Sequence, residues 1–298
     1  MKYFSVAEIA RKWEMSDRSV RNYCAQGKIE GAFLQGKTWN IPEGAVKPDR
    51  KSKGSMQASQ LLSTLKEEKR DKRHGGIYHK IQIDLTFNSN HIEGSQLTHE
   101  QTRYMYETNT IGLEDTYINV DDIVETTNHF RCIDLMIDRA NFTLSEPFIK
   151  QLHSLLKNGT SDCRKEGFAV GEYKKLPNEV GGNVTTLPEN VSNEIRLLLD
   201  AYHAIDKKTL DDIIDFHVRF ELIHPFQDGN GRVGRLIMFK ECLCNSIVPF
   251  IISDDMKMFY YRGLRDWHRE RGFLRDTCLA SQDTFKQYLD YFRIPYGL

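Results

Sequence analysis

The twelve residues His224-Pro225-Phe226-Gln227-Asp228-Gly229-Asn230-Gly231-Arg232-Val233-Gly234-Arg235 constrain this chain more than any other stretch. They make one helix stop, a glycine turn form and a second helix begin. Ahead of them, Leu210 to Ile223 places apolar residues at Ile213, Ile214, Phe216, Phe220 and Ile223, which is helical spacing, and Pro225 ends that helix just past His224. Gly229 and Gly231 flank Asn230 in a turn open to small or left-handed-tolerant residues, so several backbone N–H groups can point into one concavity. The pattern then predicts a helix from near Arg232 through Leu236, Ile237 and Phe239, with its positive N-terminus at the same place.

The side chains add chemistry to that concavity. Arg232 and Arg235 are three residues apart, hence on one helical face, where their guanidinium forks can clamp phosphate oxygens. Asp228 offers a hard oxygen, and Mg²⁺ typically binds through one or two carboxylates plus substrate phosphates. His224, with an ordinary pKa of about 6.5, suits proton removal from an attacking hydroxyl. A plainer reading joins two core helices by a Gly-Asn-Gly loop with solvated arginines; all twelve positions together favour a phosphate site.

These residues resemble the signature of the Fic family, HPFx(D/E)GNGRxxR, at every fixed position. The resemblance covers about residues 77 to 270 and implies a mainly α fold, a helical core with a β-hairpin flap. It implies an enzyme that moves AMP from ATP onto a Ser, Thr or Tyr hydroxyl of a target protein and releases pyrophosphate. On that resemblance His224 is the base and Asp228 holds Mg²⁺. Gly229, Asn230 and Gly231 cradle the α- and β-phosphates, Arg232 and Arg235 hold the β- and γ-phosphates, and Val233 and Gly234 belong to the same nucleotide-binding turn. The run from Gly171 through Tyr173 and Lys174 to Val184, with Gly181-Gly182, reads as a hairpin and resembles the Fic flap at about 171–186, placing Val180 and Gly181 beside the nucleotide. Tyr260 and Tyr261 stand where the family sets a tyrosine pair against adenosine; helix packing explains the same aromatics.

A further resemblance concerns control. Ser89-Asn90-His91-Ile92-Glu93-Gly94 fits the family's inhibitory pattern (S/T)xxxE(G/N), on a helix at about 86–94. Glu93 would pair with Arg235 and occupy the guanidinium that a γ-phosphate needs. Some restrained relatives use this glutamate to orient water and remove AMP.

The first fifty residues read as a separate domain. Val6, Ile9, Ala10 and Trp13 predict a short helix, Ser16 a cap, and Val20, Tyr23 and Cys24 a second helix ending at Gly27. Ile29 to Ile41 follows as two extended pieces about Gly36-Lys37. The stretch resembles an excisionase-type winged helix-turn-helix, implying that Arg18, Ser19, Arg21 and Asn22 face DNA and Lys37 touches phosphate. Residues 1–53 hold eleven Lys and Arg against six Asp and Glu, a net +5, within a chain of net −1. That asymmetry suits an anionic partner; a module for protein contacts has the same helices.

Residues 51–76 are expected to be a linker, opening with a charged run, and then a helix from Leu61 whose Lys66–Arg73 end is solvated. Residues 77–298 form the helical domain, with further helices at Ile123–Ile137, Phe148–Leu156, Val191–His203, Met256–Trp267 and Thr284–Phe292. Six irregularly spaced cysteines predict reduced thiols, and the histidines show no zinc pattern. No apolar run approaches the length of a membrane span, and the chain opens without a signal peptide, so a cytoplasmic protein is expected. Three alternatives stay open: a transcription regulator whose helical domain senses nucleotide, a donor other than ATP such as a UMP or phosphocholine donor, and AMP removal. A homodimer is a further expectation from relatives.

Overall fold

A computed structural model describes residues 3–13, 15, 17–25, 29, 31–36, 38–47, 60–112 and 117–296. The chain divides into two compact units, Met1–Met56 and Gln57–Leu298.

In the first unit the order is β1 (Tyr3–Phe4), α1 (Val6–Lys12), α2 (Asp17–Ala25), β2 (Phe33–Gln35) and β3 (Thr38–Pro42). The strands form an antiparallel sheet in the order β1-β3-β2, with Phe4 opposite Ile41 and Leu34 opposite Trp39. Ser5 caps α1 through a capping box with Glu8. Val6, Ile9, Val20, Cys24, Ile29 and Ile41 make the small core. Arg21 is exposed. The expected Ser16 cap and Gly27 stop, the side chains of Arg18, Ser19 and Asn22, and Lys37 lie outside the described residues, as does the charged run at 48–59.

The second unit is helical: α3 (Gln60–Arg70), α4 (Ile77–Ile92), α5 (His99–Thr108), α6 (Val120–Asp138), α7 (Glu146–Lys157), α8 (Pro188–His203), α9 (Leu210–Ile223), α10 (Asn230–Cys244), α11 (Lys257–Asp266) and α12 (Gly272–Tyr291). Between α7 and α8 a hairpin pairs β4 (Glu179–Val180) with β5 (Asn183–Val184). Its two-residue loop, Gly181-Gly182, has φ of 56° and 78°, which a tight hairpin turn demands and glycine supplies. Outside these four strand residues the expected flap is irregular chain.

The axis of this unit is α10, whose residues from Asn230 to Leu243 are all buried. A helix apolar on most sides belongs in a core, and α10 packs on α4, α6, α7 and α9. Leu85, Ile133, Leu152, Phe220, Phe226 and Leu236 share the main cluster, and Ile92, Ile213, Met238, Trp267 and Leu274 a second one. The polar members of α10 find partners, as Lys240 bonds Glu241 Oε1 at 2.7 Å and Tyr202 donates to Glu241 Oε2 at 2.9 Å.

Several sequence expectations change. The Lys66–Arg73 run is not wholly solvated: Glu68 is buried and accepts the Tyr78 N–H at 2.9 Å, serving the start of α4, where Gly76 leaves room for it. Helix α5, with its Thr98–Gln101 capping box, was not among the expected helices. Helix α12 begins at Gly272, well before Thr284. No disulfide joins any of the six cysteines. Among the described residues no helix is long and apolar enough to cross a membrane.

Candidate active site

His224 caps the C-terminus of α9 in the left-handed region, φ 50° and ψ 63°, its N–H donating to Phe220 O at 2.9 Å. A non-glycine residue there is held by its surroundings, because L side chains rarely adopt that backbone. Pro225 follows and the chain turns into the loop. Burial, then the Lys174 ammonium, push the His224 imidazole down to about 4, so at neutral pH the ring is uncharged and able to accept a proton. Its Nδ1 lies 4.0 Å from Glu221 Oε2. Burial and the charge of Glu93 raise the Glu221 carboxyl to about 8.

The loop is locked from within. Asn230 Oδ1 accepts the Phe226 N–H and Asn230 Nδ2 donates to Phe226 O, both at 2.8 Å. Gly229 caps α10 with φ 81°. The helix therefore starts at Asn230, two residues ahead of the expected Arg232, so its first-turn amides, which lack intrahelical acceptors, belong to residues 230–232. From α7, His153 stacks on Phe226 at 3.9 Å and 5°. The Gly171 N–H donates to His153 Nδ1 at 3.0 Å, so Nε2 carries the proton it donates to Asp228 O at 3.1 Å.

Asp228 sits in a ring of alternating charge. Its Oδ2 accepts from Lys157 Nζ at 2.7 Å and Arg232 Nη2 at 3.2 Å, and both cations also bond Glu125 on α6, Lys157 through Oε1 and Arg232 through Oε2. Lys157 further pairs with Asp162 Oδ2 at 2.5 Å. Burial alone would raise the Asp228 carboxyl, but Arg232 and Lys157 outweigh it and hold it well below the usual carboxylate range. Half of the Asp228 side chain, 50%, is exposed while Lys157 is 2% exposed, and the bonds from Lys157 and Arg232 both end on Oδ2. A hard, ionised, half-exposed carboxylate oxygen beside helix amides fits Mg²⁺ carried with phosphates. A cavity of about 580 Å³ opens here, lined by Glu93, Glu125, Lys157, Asp228 and Arg232 among others.

Arg235 meets the C-terminal end of α4. Its Nη2 donates to Glu93 Oε1 at 2.7 Å and to Ser89 O at 2.8 Å, and its Nε donates to Ser89 Oγ at 3.0 Å. Gly231 makes this possible, since a methyl there would collide with Glu93 Oε1. The carboxylate thus lies against the first turn of α10, where an anion is favoured. The hairpin segment is pinned to the same loop. Lys174 N–H donates to Pro225 O at 2.8 Å, and Asn178 Nδ2 donates to Phe226 O at 3.0 Å. Lys174 Nζ, its pKa lowered by burial to about 8, donates to Asn178 Oδ1 at 2.7 Å and Thr185 Oγ1 at 2.6 Å.

The structure therefore brings together His224, Asp228, Gly229, Asn230, Gly231, Arg232, Arg235, Ser89 and Glu93. It revises how some of them serve. The Asn230 side chain is spent on Phe226, leaving its amide for an anion. Arg232 is buried in the ring. Val233 points into the core, and Gly234 lets His217 and Glu221 approach, a methyl there standing 2.7 Å from His217 Nδ1. Tyr260 is buried, its hydroxyl 2.6 Å from His217 Nε2, so it cannot face a nucleotide in this arrangement. Tyr261 is the exposed member and donates to Ile92 O at 3.2 Å. Val180 is exposed on the hairpin beside Gly181. Sequence reasoning assigned no role to Glu125, His153, Lys157, Asp162, Asn178 or Glu221. For two of them a signal existed, because His153 and Lys157 fall one helical turn apart among Phe148, Ile149, Leu152 and Leu156 on the buried face of α7.

A buried axial helix with a glycine-capped N-terminus, and a histidine at the end of the helix before it, set the geometry of this helical domain. Residues 143–242, in the second unit, match the model of the Fic/DOC family. The protein adenylyltransferase Fic of Nematostella vectensis is 23% identical over 209 residues, 68% of this chain and 48% of that protein. The one from Drosophila persimilis is 26% identical over 238 residues, 76% of this chain and 43% of that protein. The chain thus spans less than half the length of these relatives. A Fic-domain-containing signaling protein from Bacteroides thetaiotaomicron has the same fold, with a TM-score of 0.58, 24% identity and coverage of 77% of this chain and 90% of that one. Fic-1 (residues 134–508) from Caenorhabditis elegans superimposes with a TM-score of 0.59 at 18% identity, covering 79% of this chain and 71% of that one.

Proposed function

We propose that the second unit is a protein adenylyltransferase restrained by its own α4, moving AMP from Mg²⁺-ATP to a target hydroxyl and releasing pyrophosphate. The observation that carries this reading is the neutral His224 at the C-cap of α9, the half-exposed Asp228 in the turn that follows and the start of α10 at Asn230, with Glu93 on Arg235. His224, neutral at neutral pH, takes the proton of the attacking hydroxyl. Asp228 would hold Mg²⁺, which neutralises charge on the phosphates. Backbone amides at 230–232 would receive phosphate oxygens, and Arg235, once freed, would receive the terminal phosphate. In-line attack at phosphorus asks mainly for such positioning and neutralisation. The names of the relatives support AMP as the transferred group.

The restraint has a scale. A partly buried charge-assisted pair contributes about 1.5–3 kcal/mol, which would suppress productive ATP binding by roughly tenfold to a hundredfold. Incubating the chain with Mg²⁺ and α-labelled ATP tests both parts. Strong label on Glu93→Gly, little on the unsubstituted chain and none on Glu93→Gly/His224→Ala is expected. Absence of label from every form with ATP would shift the reading to another donor or to a nucleotide sensor.

For the first unit we propose DNA binding through α2, supported by its two helices with a three-stranded sheet, by exposed Arg21 and by the net +5 of residues 1–53. Fluorescence anisotropy with a labelled duplex checks it. Affinity should fall as salt rises, and Arg21→Ala should weaken it; no binding at low salt would leave a protein-contact module.

A further inference from the structure

The ring around Asp228 carries more than the transfer reading uses. Lys157 ends α7 with its side chain 2% exposed, and its ammonium touches Glu125, Asp162 and Asp228 at once. Ligand oxygens of those three carboxylates all lie within 4.8 Å of one another. Hard oxygens converging so closely are the surroundings of a divalent cation, yet a side-chain ammonium stands among them. The charges almost balance without any ion. Three carboxylates face Lys157 and Arg232, leaving one negative charge, and Lys165 meets the outer oxygen of Asp162 at 2.6 Å. The same helix holds Asp228 twice, by its backbone through His153 and by its carboxylate through Lys157. Both cations reach Asp228 through Oδ2.

We propose that Lys157 is a positioning residue whose ammonium fills the place of a second divalent ion, fixing Asp228 Oδ2 so that Oδ1 alone meets a single catalytic metal. The use of that metal rests on the transfer reading; the place of Lys157 rests on the ring. Neutralising Lys157 leaves three carboxylates gathered against one arginine, a site that a free cation then enters. Metal supplied in excess takes over the role of the ammonium.

Two measurements on the full chain test this. In the first, Mn²⁺ binding without nucleotide is followed by electron paramagnetic resonance for the unsubstituted protein, Lys157→Met and Lys157→Met/Asp162→Asn. Lys157→Met should bind one additional Mn²⁺ per chain, about tenfold or more tighter than the unsubstituted protein does, and removing the Asp162 charge should reverse the gain. In the second, Lys157→Met is placed in the Glu93→Gly background and labelling from ATP is measured against Mg²⁺ concentration. Half-maximal Mg²⁺ should rise about tenfold, while the rate at saturating Mg²⁺ stays close to that of Glu93→Gly. Unchanged Mn²⁺ binding together with a lower rate at every Mg²⁺ concentration would overturn the proposal and leave Lys157 a packing residue. If Glu93→Gly itself takes no label, the transfer reading fails and the Mn²⁺ arm alone decides the place of Lys157. Should Lys157→Met not fold, Lys157→Gln, neutral but still hydrogen-bonding, carries the same expectations and is overturned by the same results.

Discussion

At the residue scale the site depends on charges held close to one another in little water. Lys174 lies near enough to His224 to depress it, second only to burial. Lys174→Met removes that charge and leaves the burial, so the His224 pKa rises from about 4 toward, but not to, its ordinary value of about 6.5. The acid limb of the labelling rate against pH in the Glu93→Gly background should move up correspondingly; an unmoved limb would show that Lys174 serves the hairpin alone. Gly234 gives a different prediction. A methyl there meets His217 Nδ1 at 2.7 Å and Glu221 Oε1 at 2.8 Å, so Gly234→Ala should cost about 1–3 kcal/mol by overpacking, seen as a lower urea midpoint with an unchanged slope. Residue types were the part of the candidate site most open to reading in the sequence. His224, Asp228, Arg235 and Glu93 stand out in the sequence because an imidazole, a carboxylate, a guanidinium and a carboxylate before a glycine each appear within a short run. Glu125 was not, because it meets Arg232 across 107 positions of chain, and such a pair leaves no spacing to read.

At the scale of elements, the helices around the motif were legible from period and breakers, while their exact ends came from contacts. Pro225 announced the end of α9, but the start of α10 at Asn230 depends on Gly229 taking a left-handed cap. Helix α5 lacked a strong apolar period, and its capping box does the work of delimiting it. Helix α4 combines two roles, packing through Ile77, Ile81 and Leu85 and restraining Arg235 through Ser89 and Glu93. The two contacts are separable. Ser89→Ala removes the hydroxyl but keeps the backbone carbonyl and Glu93 on Arg235, so its labelling should lie between the unsubstituted chain and Glu93→Gly. Label equal to that of Glu93→Gly would make the serine, rather than the carboxylate, the dominant hold.

For the molecule as a whole, acid is the expected weakness. Burial lowers His129 and His217 to about 3, and His153 and His224 to about 4. As pH falls below about 6.5 the unfolded chain takes up protons at these four sites and the folded chain does not, so stability falls between about pH 6.5 and pH 4. Glu221 and Asp134 act in the opposite sense, since burial raises both carboxyls, Glu221 to about 8, and lets the folded state hold protons that the unfolded state gives up. These two against the four histidines, with His79 also lowered by burial, leave a net loss, and calorimetry from pH 7 to pH 4.5 should show the melting temperature of the second unit falling. A flat profile would mean that these imidazoles are protonated in the folded state. Charge and composition set the first fifty residues apart in the sequence, whereas the second core cluster, with Trp267 and Leu274 against Ile213, unites segments too distant for any local pattern to reveal.

Glu93 occupies the C-cap of α4, directly before Gly94 at φ 100°, with the Ser95 N–H donating back to Asn90 O at 3.1 Å. A restraining carboxylate in the middle of a helix could be withdrawn only by moving the whole rod through its packing. At the cap it can leave by the unwinding of one terminal turn, an opening that helix ends undergo far below the cost of global unfolding. On the proposed restraint, release of Arg235 is a local fraying equilibrium, and amide exchange at residues 93–95 reports how often Glu93 lets it go.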